Sequence, residues 1–235
     1  MVKGVVKSAA AKSANNSALS PQRRGIGIFG GTFDPVHIAH LRMALEMRDT
    51  LALDHVRLVP SHRPPHRPQP VASSTHRVAM LQLAVADCDE LVVDTREVAR
   101  DAPSYMVDTL LSLREEVSSD IPFVLGMGAD AFADLHTWHR WLQLFEFASI
   151  AVFQRPGARA VTDAGLLAQM EKRTLQDASG VNAVANGAIV FLATPVLEIS
   201  ATDIRERLSR RRSAQFLLRE SVHTYIHQHH LYQTL

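Results

Sequence analysis

Six short apolar runs rich in β-branched residues recur along the chain, and they constrain its fold more than any other feature. They are GIGIF (25–29), HVRLVP (55–60), ELVVDT (90–95), PFVLGM (122–127), SIAVFQ (149–154) and AIVFLA (188–193). Between them, at 35–49, 74–87, 104–117 and 138–148, apolar residues recur at the three- and four-residue spacing of helices. Continuously apolar runs predict strands that are buried on both faces. The pattern therefore predicts an α/β fold, a doubly wound, Rossmann-like parallel sheet with helices on both faces.

Residues 1–24 differ from the rest in composition. This segment is small and polar, without periodicity, and carries five basic residues and no acid, so we predict a disordered basic tail. Residues 25–235 then form one domain, in which the helical part from about residue 200 is expected to close the ligand site. This domain carries 20 basic and 24 acidic residues. The mildly acidic balance argues against a nucleic-acid partner, because such domains usually present a basic face.

Nothing in the sequence points to a membrane. No apolar run reaches the roughly 18 residues needed to span a bilayer, and the amino end lacks the apolar stretch of a secretion signal. We therefore expect a cytoplasmic protein. Monomer and homo-oligomer are equally compatible with the sequence.

Two groups of glycines surround the first strand. Gly25, Gly27 and Gly30 match the dinucleotide fingerprint GxGxxG, but they lie inside the predicted strand instead of following it. A dinucleotide oxidoreductase would require these glycines to form a loop. Gly30 and Gly31 are instead expected to end the strand and let a ligand approach the backbone.

The next stretch, FDPVHIAH, predicts a helix start with two histidines. Asp34 suits the N-cap and Pro35 the first helical position, which places His37 and His40 on one face of the first two turns. A helix amino terminus attracts phosphate. A pair of hydrogen-bonded core histidines is the alternative. Metal chelation is disfavoured, because HxxH lacks the glutamate of HExxH, and we assign no metal ligand.

A second helix start with phosphate-binding chemistry occurs in LEISATDIRERL. Ser200 and Asp203 have the spacing of a capping box. Thr202 adds a second hydroxyl, and the guanidinium of Arg205 can grip phosphate oxygens in a fixed fork. Together the two helix starts could hold a polyphosphate between them.

GGTFDPVHIAH and ISATDIR together resemble the HxGH and ISSTxxR motifs of the nucleotidylyltransferase superfamily and, within it, the bacterial nicotinate mononucleotide adenylyltransferase family. Five further stretches agree with this family: VPSHRPPHRP (59–68), HRVAMLQLA (76–84), APSYMVDTL (102–110), LGMGADAFADLHTWHRW (125–141) and QRPG (154–157). The resemblance extends from Gly25 to about Leu231.

The resemblance implies roles for individual residues. Those that would contact ATP are Gly30, Gly31, Thr32, Phe33, His37, His40, Ser200, Thr202 and Arg205, with His37, His40 and Arg205 as the catalytic groups. Those that would contact the acceptor nucleotide are Arg67, Tyr105, Met106, Asp130, Trp138 and Arg155. Among these, Trp138 would stack on the nicotinate ring, Asp130 would contact ribose, and the backbone amides at 105–106 would meet the nicotinate carboxylate. The alternatives are that Trp138 is a core residue and that Arg67 is a solvated loop charge.

Four positions depart from the family pattern. Ala39 replaces the glycine of HxGH, Ala201 the middle serine of ISSTxxR, Met106 a common threonine and Arg67 a frequent lysine. None of these changes removes a proposed catalytic group.

The implied reaction is transfer of the adenylyl group of ATP to nicotinate mononucleotide in NAD biosynthesis. Mg²⁺ is expected to accompany ATP and to be held mostly by phosphates and water. Two alternatives stay open: an adenylyltransferase of the phosphopantetheine type, and a non-catalytic nucleotide sensor. Loss of His40 or Arg205 would favour the sensor, and both residues are present.

Overall fold

A six-stranded, all-parallel sheet forms the centre of the protein. The structure, a computed structural model, describes residues 24–63, 69–100, 102–193 and 197–233. Within these ranges the strands are β1 (Ile26–Gly31), β2 (Val56–Pro60), β3 (Leu91–Val93), β4 (Phe123–Gly128), β5 (Ser149–Gln154) and β6 (Ile189–Ala193). All six strands predicted from the sequence are confirmed, with ends that shift by one or two residues.

The order of the strands is β3-β2-β1-β4-β5-β6, so the chain reverses its direction of travel across the sheet between β1 and β4. This is the order of the doubly wound dinucleotide-binding folds, which place ligands outside the carboxyl ends of the strands at that reversal. The predicted fold class is therefore confirmed. The rejection of GxGxxG is also confirmed, because Gly27 and Gly30 lie within β1 itself.

The helices among the described residues cover both faces of the sheet. They are α1 (Ile38–Thr50), α2 (Ser74–Val85), α3 (Arg96–Ala99), α4 (Met106–Glu116), α5 (Ala129–Ala133), α6 (Leu144–Phe147), α7 (Ala164–Arg173), α8 (Ala201–Ser209) and α9 (Glu220–Gln228). Phe29 of β1 belongs to a core shared with α1, α2, α8 and α9, whereas the preceding Ile28 belongs to a core shared with α4–α7. Successive residues of one strand thus pack into the cores on opposite faces of the sheet, because strand side chains alternate between the two faces.

The helix predicted over 138–148 is wrong. Arg140 adopts a left-handed conformation with φ of 49°, and the chain continues as a 3₁₀ turn (Trp141–Gln143) followed by the short α6. Two contacts with the start of α4 accompany this break in the helix. Arg140 forms an ion pair with Asp108, and the ring of His139 lies 4.4 Å from that of Tyr105.

The carboxyl-terminal helices pack beside α1 and α2. Arg219 forms an ion pair with Asp87 at 2.6 Å, and the hydroxyl of Tyr225 on α9 lies 2.9 Å from Nδ1 of His76 on α2. Among the described residues no helix is long and apolar enough to cross a membrane. The predicted tail, residues 1–24, lies outside the described residues except for Arg24, so it stays a prediction, as does the assignment of 25–235 to one domain.

Candidate active site

A cleft of about 1570 Å³ opens at the carboxyl ends of the central strands. It brings together most of the side chains predicted from the sequence: Gly30, Gly31, Thr32, Phe33, His37, His40, Tyr105, Met106, Trp138, Arg155, Ser200, Thr202 and Arg205 all line it. We call residues 30–40 the α1 wall and residues 200–205 the α8 wall. A third group, residues 105–106 with 138–139, also lines the cleft and is called the aromatic end.

Packing around the double glycine of the α1 wall is tighter at Gly31, beside a buried ring, than at Gly30, beside the flexible end of Met106. A Cβ atom at Gly30 would lie 2.6 Å from Cε of Met106, and one at Gly31 would lie 2.8 Å from the ring of Phe33. The buried Phe33 itself has a φ of 49°, a conformation that is uncommon for a bulky side chain. Side-chain packing is thus one reason for glycine at these positions, in addition to the close approach of a ligand expected from the sequence.

Asp34 does not cap α1, contrary to the sequence prediction. The helix begins at Ile38, and the Asp34–Pro35 peptide is cis. The buried Asp34 carboxylate accepts hydrogen bonds from the backbone N–H groups of Val71 and Ala72, at 2.8 and 3.0 Å. It also accepts one from the hydroxyl of Tyr232 at 2.8 Å. Asp34 thus joins the loop before α2 and the carboxyl-terminal segment to the α1 wall.

His37 takes the N-cap position instead, and its N–H group donates to Nδ1 of His40 at 3.3 Å. The two imidazole rings stack with their centroids 3.7 Å apart. The N–H group of Ile38 donates to the carbonyl of Leu217 at 3.0 Å. The expectation that the helix start offers unpaired N–H groups to a ligand is therefore wrong for His37 and Ile38. The side chains become the main polar groups of this wall.

His37 presents an uncharged imidazole to the cleft. The residue is only 5% exposed, and this burial lowers its pKa to about 4. Its Nδ1 atom is buried and has no hydrogen-bond partner within the described protein. A buried polar atom without a partner is costly, so a ligand that supplies one would be favoured. At neutral pH this ligand meets a hydrogen-bonding group and not a cation.

The α8 wall supplies the positive charge. The Ser200 hydroxyl accepts a hydrogen bond from the N–H group of Asp203 at 3.1 Å, which confirms the predicted cap. Nη1 of Arg205 donates to the carbonyl of Asp34 at 2.7 Å, and its Nη2 lies 3.4 Å from the hydroxyl of Thr202. Arg205 therefore bridges the two walls while its guanidinium stays on the cleft surface.

The two tryptophans of HTWHRW both pack against one core cluster, but they differ in their relation to the cleft. Trp138 is half-buried and lines the cleft. Trp141 does not line it and packs its ring edge-on against Phe145, with centroids 6.4 Å apart. Because Arg140 breaks the helix, the two indoles do not share a helix face. This placement favours the cleft interpretation of Trp138 over the core interpretation.

Three of the residues predicted to contact the acceptor nucleotide are not established as free groups of the cleft. Asp130 is not among the cleft-lining residues, and its carboxylate pairs with Arg155 at 2.5 Å and accepts from the N–H group of Arg159 at 3.2 Å. Arg155 does line the cleft, so its charge is already partnered there. Arg67 lies outside the described residues. The roles proposed for all three stay predictions.

Sequence reasoning missed a buried cation beneath the α1 wall. Arg77 of α2 is 1% exposed, and its guanidinium donates to the carbonyl of Thr32 at 2.7 Å and to Ser74 Oγ at 3.1 Å. Burial lowers its pKa, and the nearby Asp34 carboxylate opposes that shift. Its spacing from Met80, Leu81 and Ala84 places it on the buried face of α2, so the sequence pattern could have predicted its burial.

A buried carboxyl at the aromatic end was also missed. Glu97 lines the cleft at 4% exposure and accepts a hydrogen bond from the Thr109 hydroxyl at 2.6 Å. Burial raises the pKa of this carboxyl. The Thr109 hydroxyl in turn accepts from Arg100 at 2.9 Å, so Glu97 supports the start of α4 from below.

The cleft thus lies at the reversal point of a parallel sheet, between one wall with two imidazoles and another with hydroxyls and a guanidinium. These features define an α/β protein of the nucleotidyltransferase class. Residues 28–207 match the model of the cytidylyltransferase-like family. A Cellvibrio japonicus protein named "Probable nicotinate-nucleotide adenylyltransferase" is 47% identical over 90% of this chain and 100% of its own length. A Methylococcus capsulatus protein of the same name is 48% identical over 88% of this chain and 99% of its own length.

The chain belongs to the nicotinate-nucleotide adenylyltransferase family. A solved structure supports the fold independently: Plasmodium falciparum nicotinic acid mononucleotide adenylyltransferase, complexed with NaAD, superposes with a TM-score of 0.68. The two proteins are 17% identical, and the match covers 89% of this chain and 97% of the other. The resemblance drawn from the sequence motifs is confirmed.

Proposed function

We propose that this protein transfers the adenylyl group of ATP to nicotinate mononucleotide, giving nicotinate adenine dinucleotide and pyrophosphate in NAD biosynthesis. The observation that carries the proposal is one cleft that joins the α1 wall, the α8 wall and the aromatic end. Close relatives that bear the name of this activity support it. The cytoplasmic location expected from the sequence stays a prediction.

The chemistry requires positioning more than proton transfer. An oxygen of the acceptor's 5′-phosphate attacks the α-phosphorus of ATP in line, and the bond from that phosphorus to the bridging oxygen of pyrophosphate breaks. The nucleophile is already an anion, so no general base or covalent enzyme intermediate is needed. Rate enhancement then comes from alignment of the two phosphates and from stabilisation of charge on the transferring and leaving oxygens.

The two walls are suited to different parts of this task. On the α1 wall, the neutral His37 and the stacked His40 offer ring nitrogens that can hydrogen-bond phosphate oxygens without requiring a buried charge. On the α8 wall, Ser200, Thr202 and Arg205 offer hydroxyls and a fixed cation to the same phosphates from the other side.

The aromatic end is suited to the acceptor. The half-buried indole of Trp138 offers a flat apolar surface to the pyridine ring. The backbone N–H group of Met106 is proposed to meet the nicotinate carboxylate, because the N–H group of Tyr105 already donates to the carbonyl of Pro103 at 3.1 Å. A charge-assisted hydrogen bond of this kind would favour nicotinate over nicotinamide.

Mg²⁺ is proposed to enter the cleft with ATP as part of the substrate. The described residues contain no group of three or more histidine, cysteine, aspartate or glutamate side chains that could hold a metal ion. The Asp34 carboxylate, which lines the cleft, is already engaged by two N–H groups and a hydroxyl. Such an ion would neutralise charge on the phosphate oxygens, with water completing its coordination.

Pyrophosphate release with a panel of acceptors tests the function. The enzyme is mixed with ATP, Mg²⁺ and one of nicotinate mononucleotide, nicotinamide mononucleotide or phosphopantetheine. We expect rapid release with the nicotinate form, slower release with the nicotinamide form and none above background with phosphopantetheine. Release with phosphopantetheine alone would overturn the acceptor assignment, and no release with any acceptor would favour a nucleotide sensor.

The two tryptophans provide a matched test of the acceptor site. Trp138→Ala should raise the KM for nicotinate mononucleotide by a factor equivalent to about 1 to 3 kcal/mol, with little change in the KM for ATP. Trp141→Ala should instead lower the melting temperature, because it removes the packing of this half-buried indole against Phe145. A Trp138→Ala enzyme that loses stability but keeps its KM values would return Trp138 to the core.

A further inference from the structure

The carboxyl-terminal part of the chain carries a pair of histidines that the adenylyl-transfer chemistry does not use. His223 and His227 lie on α9 at positions i and i+4, and this spacing puts them on one face of the helix, one turn apart. Val222 and Ile226, the residues just before them, are buried in the core at 1% and 0% exposure. The histidine pair itself lies at the protein surface.

The two imidazoles point the same atom at each other. Nε2 of His223 lies 3.2 Å from Nε2 of His227, with the ring centroids 4.5 Å apart and the ring planes at 69°. Without a third atom, this arrangement needs one nitrogen to carry a proton and the other to accept it. A metal ion can replace that proton and use both lone pairs.

The separation matches the geometry of two ligands on one metal ion. Histidine nitrogens bind zinc at about 2.0 to 2.1 Å, so two of them lie about 2.9 Å apart at a right angle and about 3.3 Å apart at a tetrahedral angle. The 3.2 Å found here falls between these limits. Two histidines at i and i+4 on one helix face are also how the HExxH helix holds zinc.

We propose that His223 and His227 form a surface site for one late first-row divalent ion, such as Zn²⁺, Ni²⁺ or Cu²⁺. Imidazole suits these ions, whereas Mg²⁺ prefers oxygen ligands, so the site is chemically distinct from nucleotide binding. The described residues add no third histidine, cysteine or carboxylate to the pair, so water completes the coordination.

Occupancy of this site links successive turns of α9. The helix is held against α2 by the Arg219–Asp87 ion pair and by the hydrogen bond from Ser221 Oγ to the carbonyl of Leu83 at 3.0 Å. It leads into the segment whose Tyr232 hydroxyl donates to Asp34. Binding should therefore slow hydrogen exchange at the backbone amides of α9.

Calorimetric titration of the full-length, untagged protein with Ni²⁺ in a non-chelating buffer containing excess Mg²⁺ tests the proposal. His223→Ala and His227→Ala should each weaken a one-ion binding event at least about tenfold, since loss of an outer partner of a metal ligand alone costs 10- to 100-fold. His230→Asn is the matched control, because this exposed histidine has a left-handed backbone that asparagine tolerates, and it should bind as the wild type does.

Hydrogen exchange with and without Ni²⁺ provides the second measurement. The amides of α9 should exchange more slowly with Ni²⁺ in the wild type and in His230→Asn, but not in either alanine variant. Adenylyl transfer in the absence of added Ni²⁺ should be the same in all four proteins. Equal Ni²⁺ affinity in the wild type and the alanine variants, or no binding by the wild type, would overturn the proposal.

Discussion

The two walls of the cleft are built in opposite ways. The α8 wall begins with a serine that caps its own helix, and its cationic Arg205 has a side chain that is 28% exposed. In the α1 wall, the helix begins with a histidine cap that is 5% exposed, and long-range contacts hold the residues around it. The α8 wall thus supplies charge from a helix start that neighbouring residues stabilise. The α1 wall supplies neutral hydrogen-bonding groups from a buried helix start that residues distant in sequence stabilise.

This difference suggests how the site can be both rigid and open to a large polyanion. Desolvated donors that are fixed before the reaction stabilise developing charge without reorganisation. The guanidinium of Arg205 can pair with the nucleotide at a small desolvation cost, because guanidinium groups are weakly hydrated. The walls meet at Asp34, whose carbonyl accepts from Arg205 and whose carboxylate accepts from Tyr232.

The largest effect is expected from removal of an imidazole of the α1 wall. If His40 stabilises charge only in the transition state, His40→Ala should lower kcat by roughly 10²-fold or more in a folded protein. Steady-state kinetics with a circular dichroism control measure this. A near-normal kcat would make His40 a structural histidine and remove the functional contrast between the walls.

The buried state of His37 predicts a pH effect on stability. Its pKa of about 4 in the folded protein lies below the 6.5 of the unfolded chain, so the unfolded state binds more protons between these values. The stabilisation is complete above pH 6.5 and is lost as the pH falls toward 4. Relative to His37→Gln, the wild type should lose about 2 kcal/mol more unfolding free energy between pH 7 and pH 5.

Urea unfolding at the two pH values measures this difference. If His37→Gln does not fold, the ring can be followed directly by NMR, where it should stay neutral down to pH 5. A ring that becomes protonated near pH 6.5, or parallel pH profiles for the two proteins, would contradict the buried description of the α1 wall.

Tyr232→Phe tests the long-range support of the α1 wall. The change removes a hydrogen bond to the buried Asp34 carboxylate while the aromatic ring stays, so the unfolding free energy should fall by about 1.5 to 2 kcal/mol. Tyr225→Phe removes the partly buried hydrogen bond to the neutral or protonated ring of His76 and should lower the unfolding free energy by less. An equal or larger loss from Tyr225→Phe would show that Tyr232 is not a principal support.

Arg205→Lys tests the exposed α8 wall. The lysine keeps the charge but loses the fork that reaches both the Asp34 carbonyl and Thr202, so kcat/KM for ATP should fall roughly tenfold with little change in melting temperature. Arg207→Lys on the same helix, where the arginine pairs with the exposed Asp203, is the control and should leave kcat/KM unchanged. The same loss in both variants would show that the effect arises from arginine replacement on α8 in general and not from the contacts of Arg205.

The same contrast explains how much of the molecule could be predicted from its sequence. The strands and the Ser200 cap depend on neighbouring residues, and both were predicted correctly. The start of α1 depends on residues far along the chain, namely Val71, Ala72, Leu217 and Tyr232, so a local pattern suggested Asp34 as the cap. No local signal could have corrected it.

The break at Arg140 was also missed, because a helical spacing of apolar residues carries no signal for the left-handed backbone found there. Arg77 and Glu97 are different, since both are ionisable side chains that the fold buries. Arg77 could have been found from its position on the apolar face of α2. The motifs of the family identified the cleft-lining residues, but not the residues that hold them in place.

Transfer of labelled phosphorus tests the central claim, that the two walls act on one ATP while the aromatic end holds the acceptor. The enzyme is incubated with nicotinate mononucleotide and Mg²⁺, together with ATP labelled at either the α- or the γ-phosphorus. We expect α-label to appear in nicotinate adenine dinucleotide and γ-label in pyrophosphate, and His40→Ala to slow the appearance of both by the same factor. Appearance of α-label in AMP without dinucleotide, or of γ-label in the acceptor, would contradict it.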